Sequence, residues 1–369
     1  MSDNENKLQN ASQVVIRDVM KIKKGERVLV IANPATLNIA LQLYNAAQKA
    51  NASATLIVQN DKTSFDNANE ETLVAIASEP DVCFSISNIK LGKDPHATAK
   101  PYKTEDGQEY NHIFDYLLDG KKTMRSAWTP GITEDMMIRT AAIDYEQLKN
   151  RCQLLDEKFK NAVSAEITSP SGTDIKIDLH GRKLMFDDGD FSQPGTGGNI
   201  PAGEVFISPV VGKSNGKIVF DGSMTFSDGD SILNTPITCD VKDGFVSAIN
   251  GGEEATRLLK TVTEAEKRAV EYEKDGKLPQ GQGEIYKKNA RNIGELGIGL
   301  NPQAKITGNM LEDEKAFHTC HFAIGENYDN DAPSLIHLDG VVKNPTIVLT
   351  YANGEKCEIL KDGVLQITN

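Results

Sequence analysis

After about Ser164 the chain is punctuated by SPSGTD, FDDGD, KSNGK, VFDGS, FSDGD, VKDGF, YANGEK and LKDG, a turn signal every ~10 to 20 residues. Asn-Gly and Asp-Gly reach positive φ at little steric cost, so they close tight hairpins and pair the flanking runs antiparallel. A segment built this way cannot be a helical bundle; it must be rich in antiparallel strands. One helix interrupts it, roughly Glu253 to Lys274, with Leu258, Leu259, Val262, Ala265 and Ala269 on its buried side.

The preceding residues read differently. RVLVIA (27–32) is a short apolar run of the buried-strand kind, the following segment places Leu37, Ala40, Leu41 and Tyr44 at helical spacing, and ATLIVQ (54–59) is a second strand. This is a βαβ beginning. DVCFSISN (81–88) reads as a further strand, Thr133 caps a helix that starts with Glu134 and Asp135, and a helix from Asp144 aligns Leu148, Cys152, Leu155, Phe159 and Val163. The expected fold is α/β with two domains: a parallel-sheet-like α/β domain over 1–163 and a strand-rich α+β domain over 164–369. A dinucleotide site in the first domain would need a glycine-rich turn after the first strand, and NPATLN stands there instead.

Composition narrows the function. With 39% hydrophobic and 25% charged residues the chain is globular, and 40 Lys plus Arg against 53 Asp plus Glu leave a net charge of −13. That surface repels phosphate backbones and anionic headgroups, so neither nucleic acid nor membrane is an expected partner. Five Cys without CxxC spacing, an acidic N-terminus and no long apolar window point to reduced thiols and a cytoplasmic location.

Candidate chemistry concentrates in LEDEKAFHTCHFAIGENYDNDAPSLIHLDGVV, where three of the six His residues fall. His337 and Asp339 are two apart on an extended segment and share a face; a neighbouring strand can bring His321 beside them. Imidazole and carboxylate together make half of a metal site, or else a hydrogen-bonded pair of core histidines beside a turn. His318 does not align with this face. Glu204 in GNIPAGEVFISP and Glu295 in NIGELGIGLNP each stand among apolar residues and glycines, where a cation is the cheapest partner for a buried carboxylate. A strand end facing solvent is the plainer account of both. Glu312 and Glu314 are candidates for a general base or for a helix first turn, and Arg182, Asp187, Asp188 and Asp190 read as turn and surface chemistry.

GNIPAGEVFISP, NIGELGIGLNP, LEDEKAFHTCHFAIGENY and HLD, in that order, resemble the signature segments of the thermophilic aminopeptidase family M29, the aminopeptidase T family. The resemblance runs from about SPSGTD to the C-terminus. It implies a metallo-aminopeptidase, a hydrolase in which two divalent ions (Zn, Co or Mn) activate a water against peptides with a free N-terminus. The implied ligands are Glu204, Glu295, His321, His337 and Asp339, with Tyr328 as the nearby catalytic residue, and a homodimer is implied as well. The segment from His321 to His337 is shorter than in that family.

A second class uses the same residues. His321, His337 and Asp339 alone would make a two-His, one-carboxylate triad for a mononuclear non-haem Fe(II) ring-cleaving dioxygenase of the dihydroxypyridine dioxygenase type, on a similar fold. Glu204 and Glu295 discriminate, because such an oxygenase has no use for them as ligands. A metal-binding protein without turnover is the third reading.

Overall fold

The computed structural model describes residues 3–63 and 66–366. They form two compact units, the first running to Lys149 and including Asp187–Ala202, the second comprising Asn150–Phe186 and everything described from Gly203 onward. The division thus falls within the helix Tyr145–Phe159 and not at residue 163. The chain also returns once to the first unit, because Gly197–Asn199 supplies an edge strand to its sheet.

That sheet has five parallel strands in the order Gly197–Asn199, Arg125–Trp128, Val82–Ile86, Arg27–Ala32, Ser53–Val58. RVLVIA and VCFSI are apolar nearly throughout because a parallel strand is covered on both faces, and Leu29, Ile31, Ile76, Cys83, Leu117 and Met124 pack into one core. Thr133 caps Glu134–Thr140, accepting from the Met136 amide at 3.1 Å. In the turn after the first strand, Asn33 donates to the Gln59 carbonyl (2.9 Å) and accepts from the Asn88 amide (2.6 Å). That side chain, and no glycine-rich loop, joins the ends of the three adjacent strands Val82–Ile86, Arg27–Ala32 and Ser53–Val58.

The second unit contains two antiparallel sheets. The Asp-Gly signals work as their chemistry requires: Asp243 and Gly244 both take positive φ (50° and 82°) between Ile237–Lys242 and Phe245–Asn250. The helix Glu253–Lys274 buries Leu258, Val262, Ala265 and Ala269, while Leu259, one position off that stripe, is exposed. Val163 also departs from expectation. The preceding helix ends at Phe159, Asn161 turns left-handed (φ 67°), and Val163 lies in the strand Ala162–Thr168.

The seven-stranded sheet carries the site. Its order is Gly229–Ile232, Ser223–Phe226, His337–Lys343, Thr319–Gly325, Ile293–Gly299, Glu204–Ile207, with Met185–Asp187 at the edge. Ile293–Gly299 and Thr319–Gly325 are buried at every position, so side chains on both of their faces must be satisfied from within. On one face Leu296, Ile298, Phe322 and Leu338 are core, and Gly340 lies where a Cβ would strike Phe220 and Met224. The opposite face is polar.

Candidate metal centre

Strand register alone assembles the polar face. Gly297 lies opposite His321, Glu295 opposite Ala323, Ala323 opposite Asp339, Gly325 opposite His337, and Glu204 opposite Gly299. With a side-chain period of two, Glu204, Glu295, His321, His337 and Asp339 all project to the same side. Small residues between them make the room. A Cβ on Gly297 would stand 1.9 Å from His321 Nε2, so the imidazole lies directly over the backbone of its neighbour strand.

Two groups of side chains able to hold a metal result, Glu204 with Glu295 and His321, and Glu295 with His337 and Asp339; within each group the candidate ligand atoms lie within 4.8 Å of one another. Glu295 is common to both. His321 Nε2 is 3.1 Å from Glu295 Oε1 and 3.4 Å from Glu204 Oε2; His337 Nε2 is 3.4 Å from Glu295 Oε2 and 3.3 Å from Asp339 Oδ1. His337 Nδ1 donates to the Glu326 carbonyl at 2.9 Å, which orients the ring and points Nε2 at the two carboxylates. Glu295 Oε2 and Asp339 Oδ1 are buried without a hydrogen bond of good geometry. Two buried carboxylate oxygens that share one imidazole at 3.3–3.4 Å are costly, and a bound cation would satisfy both.

The electrostatics report the same demand. Burial works against charge on Glu295, but the His321 and His337 rings outweigh it and hold the carboxyl down, at about 2. Burial likewise disfavours an imidazolium at His321, yet Glu295, Glu204 and Asp339 raise the ring to about 9; His337 is raised well above its usual range against the same opposition. Burial and the Glu204 charge push Glu314 up to about 8, even with Lys315 beside it. The pocket is anionic and attracts positive charge of any kind.

One cation is built in. Lys315, wholly buried, donates from Nζ to Glu204 Oε1 at 2.9 Å and pairs with Glu314. Sequence reasoning passed over it within LEDEK; the signal was a lysine directly after a run of acids on a segment that must turn inward to reach the strand Thr319–Gly325. Of those acids, Glu312 accepts from the Lys305 amide and Asp313 from the Thr307 and Gly308 amides, so both hold backbone. Glu314 reaches the cluster through Lys315. His318 turns away, its Nδ1 3.0 Å from the Gly363 carbonyl oxygen.

Tyr328 stands at the rim. It is 53% exposed, and its ring packs on His337 (5.3 Å between centroids) and Phe206 (5.0 Å). Desolvation and the carboxylates of Glu295, Asp339, Glu314 and Glu204 raise the phenol far above its usual range, so it stays a donor. Arg182, expected as surface chemistry, is instead nearly buried: it grips Asp331 at 2.7 Å and Asp329 at 3.4 Å. Asp331 in turn accepts from Asn327 at 2.6 Å. The guanidinium therefore pins the loop that carries Tyr328. Asp187 is buried, Asp188 accepts the Asp190 amide in a turn, and Asp190 pairs with Lys149 and Lys21.

Arg182→Ala is expected to free that loop without touching the carboxylate cluster. Loss of an ion pair worth about 1 kcal/mol should speed amide hydrogen exchange over residues 327–331 about fivefold. Exchange followed by mass spectrometry checks it; unchanged exchange would contradict the pinning role.

Comparison with known proteins extends the picture. The profile of the family described as NicX, 2,5-dihydroxypyridine 5,6-dioxygenase, matches residues 132–350, more than half of the chain and every cluster residue. A 2,5-dihydroxypyridine 5,6-dioxygenase of Pseudomonas putida is 25% identical over 215 residues, 55% of this chain and 56% of that protein, so the chain spans little more than half of that relative's length. The solved 2,5-dihydroxypyridine dioxygenase from Pseudomonas putida KT2440 superposes with a TM-score of 0.70 at 18% identity, covering 100% of this chain and 99% of the other. AmpT from Thermus thermophilus gives 0.64 at 15% identity over 98% and 99%. At such identities these two likenesses show the fold.

Fold and site define a mixed α/β protein, of the architecture AmpT also has, with side-chain groups able to hold a metal. The chain belongs to the NicX family. No helix of the described residues is long and apolar enough to cross a membrane. The expectation of a metallo-aminopeptidase, and the hydrolase and protease classes with it, is corrected by this match: the family and the named relative are dioxygenases, oxidoreductases. Carboxylates and imidazoles on adjacent strands record a fold and a set of N/O ligands. The reaction depends on which metal they hold and how many, which the motifs leave unsaid.

Proposed function

We propose that this chain is a mononuclear non-haem iron dioxygenase that opens the ring of a dihydroxylated pyridine. The observation that carries the reading is the NicX match over 132–350, which contains the whole cluster. The donor set is compatible with Fe(II), since imidazole and carboxylate suit that ion and the unpartnered oxygens of Glu295 and Asp339 want a cation. In this reading one iron takes the place of the two zinc, cobalt or manganese ions that the aminopeptidase resemblance implies. Glu295, His337 and Asp339 would hold it, which makes Glu295 a ligand against the expectation that such an oxygenase has no use for it, and His321, the second imidazole of the two-His, one-carboxylate triad, stands beside Glu295 in the neighbouring group. Iron bound there supplies the redox chemistry by which O₂ reacts with an electron-rich ring.

The chain's own contributions follow from position. The Glu326 carbonyl keeps His337 oriented. Tyr328 and Phe206 form an aromatic wall beside His337 against which a planar ring can stack, and the protonated phenol of Tyr328 can donate to a ring hydroxyl. His321, hydrogen-bonded to Glu295, fixes that carboxylate.

The test is an anaerobic Fe(II) load followed by 2,5-dihydroxypyridine and oxygen. Oxygen uptake and loss of the ring's ultraviolet band are expected in equal molar amounts, because both oxygen atoms enter one product. A fully loaded protein that consumes no oxygen with 2,5-dihydroxypyridine, its isomers or dihydroxybenzenes would overturn the proposal.

A further inference from the structure

Two metal-capable groups sharing a carboxylate is an arrangement that could take two ions. The structure gives a reason why it takes one. Lys315 is among the largest wholly buried side chains, and its stem cannot carry the ammonium out to water. Its backbone is fixed as well: the Lys315 amide donates to the Glu312 carbonyl, and its own carbonyl accepts from Asn301, just beyond the strand Ile293–Gly299. Nζ lies 2.9 Å from Glu204 Oε1 and against Glu314, while the other oxygen of Glu204 is 3.4 Å from His321 Nε2. The ammonium therefore sits on the Glu204 side of the cluster, and the Glu295, His337 and Asp339 group is the one left without a built-in cation.

We infer that Lys315 Nζ occupies the place of a second cation. The centre then takes a single divalent ion at Glu295, His337 and Asp339, and removing the ammonium opens a latent second site formed by Glu204, His321 and Glu314 with Glu295 as the bridge. The charge argument is direct. Glu204 is buried and must be compensated; the Lys315 head group 2.9 Å away does so from within the chain, and a divalent ion would do so only when that group is gone. Lys315 is thus a positioning residue that sets metal count, a property separable from turnover.

This inference rests on the cluster being a metal centre, so the test counts metal and not product. Metal-stripped full-length protein and its Lys315→Met variant are titrated with Mn(II) alone, followed by elemental analysis and electron paramagnetic resonance. Wild type is expected to bind one equivalent with an uncoupled signal. Lys315→Met is expected to bind two equivalents whose signals couple, as ions ~3.5–4 Å apart do, and adding Glu204→Gln should return the count to one. Two equivalents in wild type, or one in a folded Lys315→Met, overturn the role of Lys315 while leaving the metal centre in place. No Mn(II) bound by wild type overturns the metal centre as well. If Lys315→Met does not fold, Lys315→Gln keeps a polar head and gives the same count.

Discussion

Asp339→Ala should lose both the bound metal and ring opening while the protein remains folded. The carboxylate is one of the three side chains in the group of Glu295, His337 and Asp339, and its Oδ1 lies 3.3 Å from His337 Nε2. A metal ligand contributes several kcal/mol to holding and polarising what the ion binds, and at about 1.4 kcal/mol per decade its loss lowers the rate by roughly 10³-fold or more. Stability without metal should fall as well. Against desolvation, Asp339 is the main charge that raises the His337 ring, so deleting the carboxylate removes a partner of a partly buried imidazole, and the melting temperature of the metal-free variant should lie below that of metal-free wild type. Bound metal stabilises wild type in proportion to the logarithm of its concentration over Kd. Added Fe(II) or Mn(II) should therefore raise the wild-type melting temperature and leave that of Asp339→Ala unchanged. A variant that keeps its metal and its rate would remove Asp339 from the site and with it the mechanism built on it.

The sequence carried the local half of this structure and little of what acts across strands. RVLVIA, the hairpin at Asp243 and Gly244 and the cap at Thr133 could be placed because each is decided within a few residues, by burial on both faces, by positive φ or by an orphan amide. Glu204, Glu295, His321, His337 and Asp339 could be nominated because a charge or an imidazole among apolar neighbours is conspicuous one residue at a time. What could not be read was their grouping. Whether His321 stands with His337 or with Glu204 depends on the register of Gly297 against His321 and Gly325 against His337, and no local pattern fixes it. Lys315 and Arg182 were missed for the same reason, since each owes its burial to carboxylates distant in sequence, Glu204 for the one and Asp331 for the other. The return of 187–202 to the first unit is likewise a matter of which sheet edge is free. The choice between hydrolase and dioxygenase lay further off still, because the same N/O ligands serve both classes of metal chemistry.

Gly297→Ala should strike both the packing and the metal affinity of the site. The new Cβ would lie 1.9 Å from His321 Nε2 and 2.0 Å from Cε1, far inside any real contact. Neither side can yield cheaply. The ring is buried, held by Glu295 at 3.1 Å, and Gly297 is in the middle of a strand paired on both edges, with Phe206 and with His321. Overpacking a tight core costs about 1–3 kcal/mol, and His321 must leave its position over the strand. Once it does, Glu295 loses the partner that orients it, and loss of such a partner lowers metal affinity by about 10–100-fold. The double variant separates this account from a general intolerance of the strand. If the clash is with the imidazole, His321→Ala should make alanine at 297 tolerable, so that the pair loses less stability than the sum of the two single losses, as coupled neighbours show. Strict additivity would mean that the glycine serves the backbone and not the ring, and the packing argument for how this face admits an imidazole would fail. Recovery of stability without recovery of metal affinity would instead separate the two roles of His321: the room it occupies, and the carboxylate it holds in place.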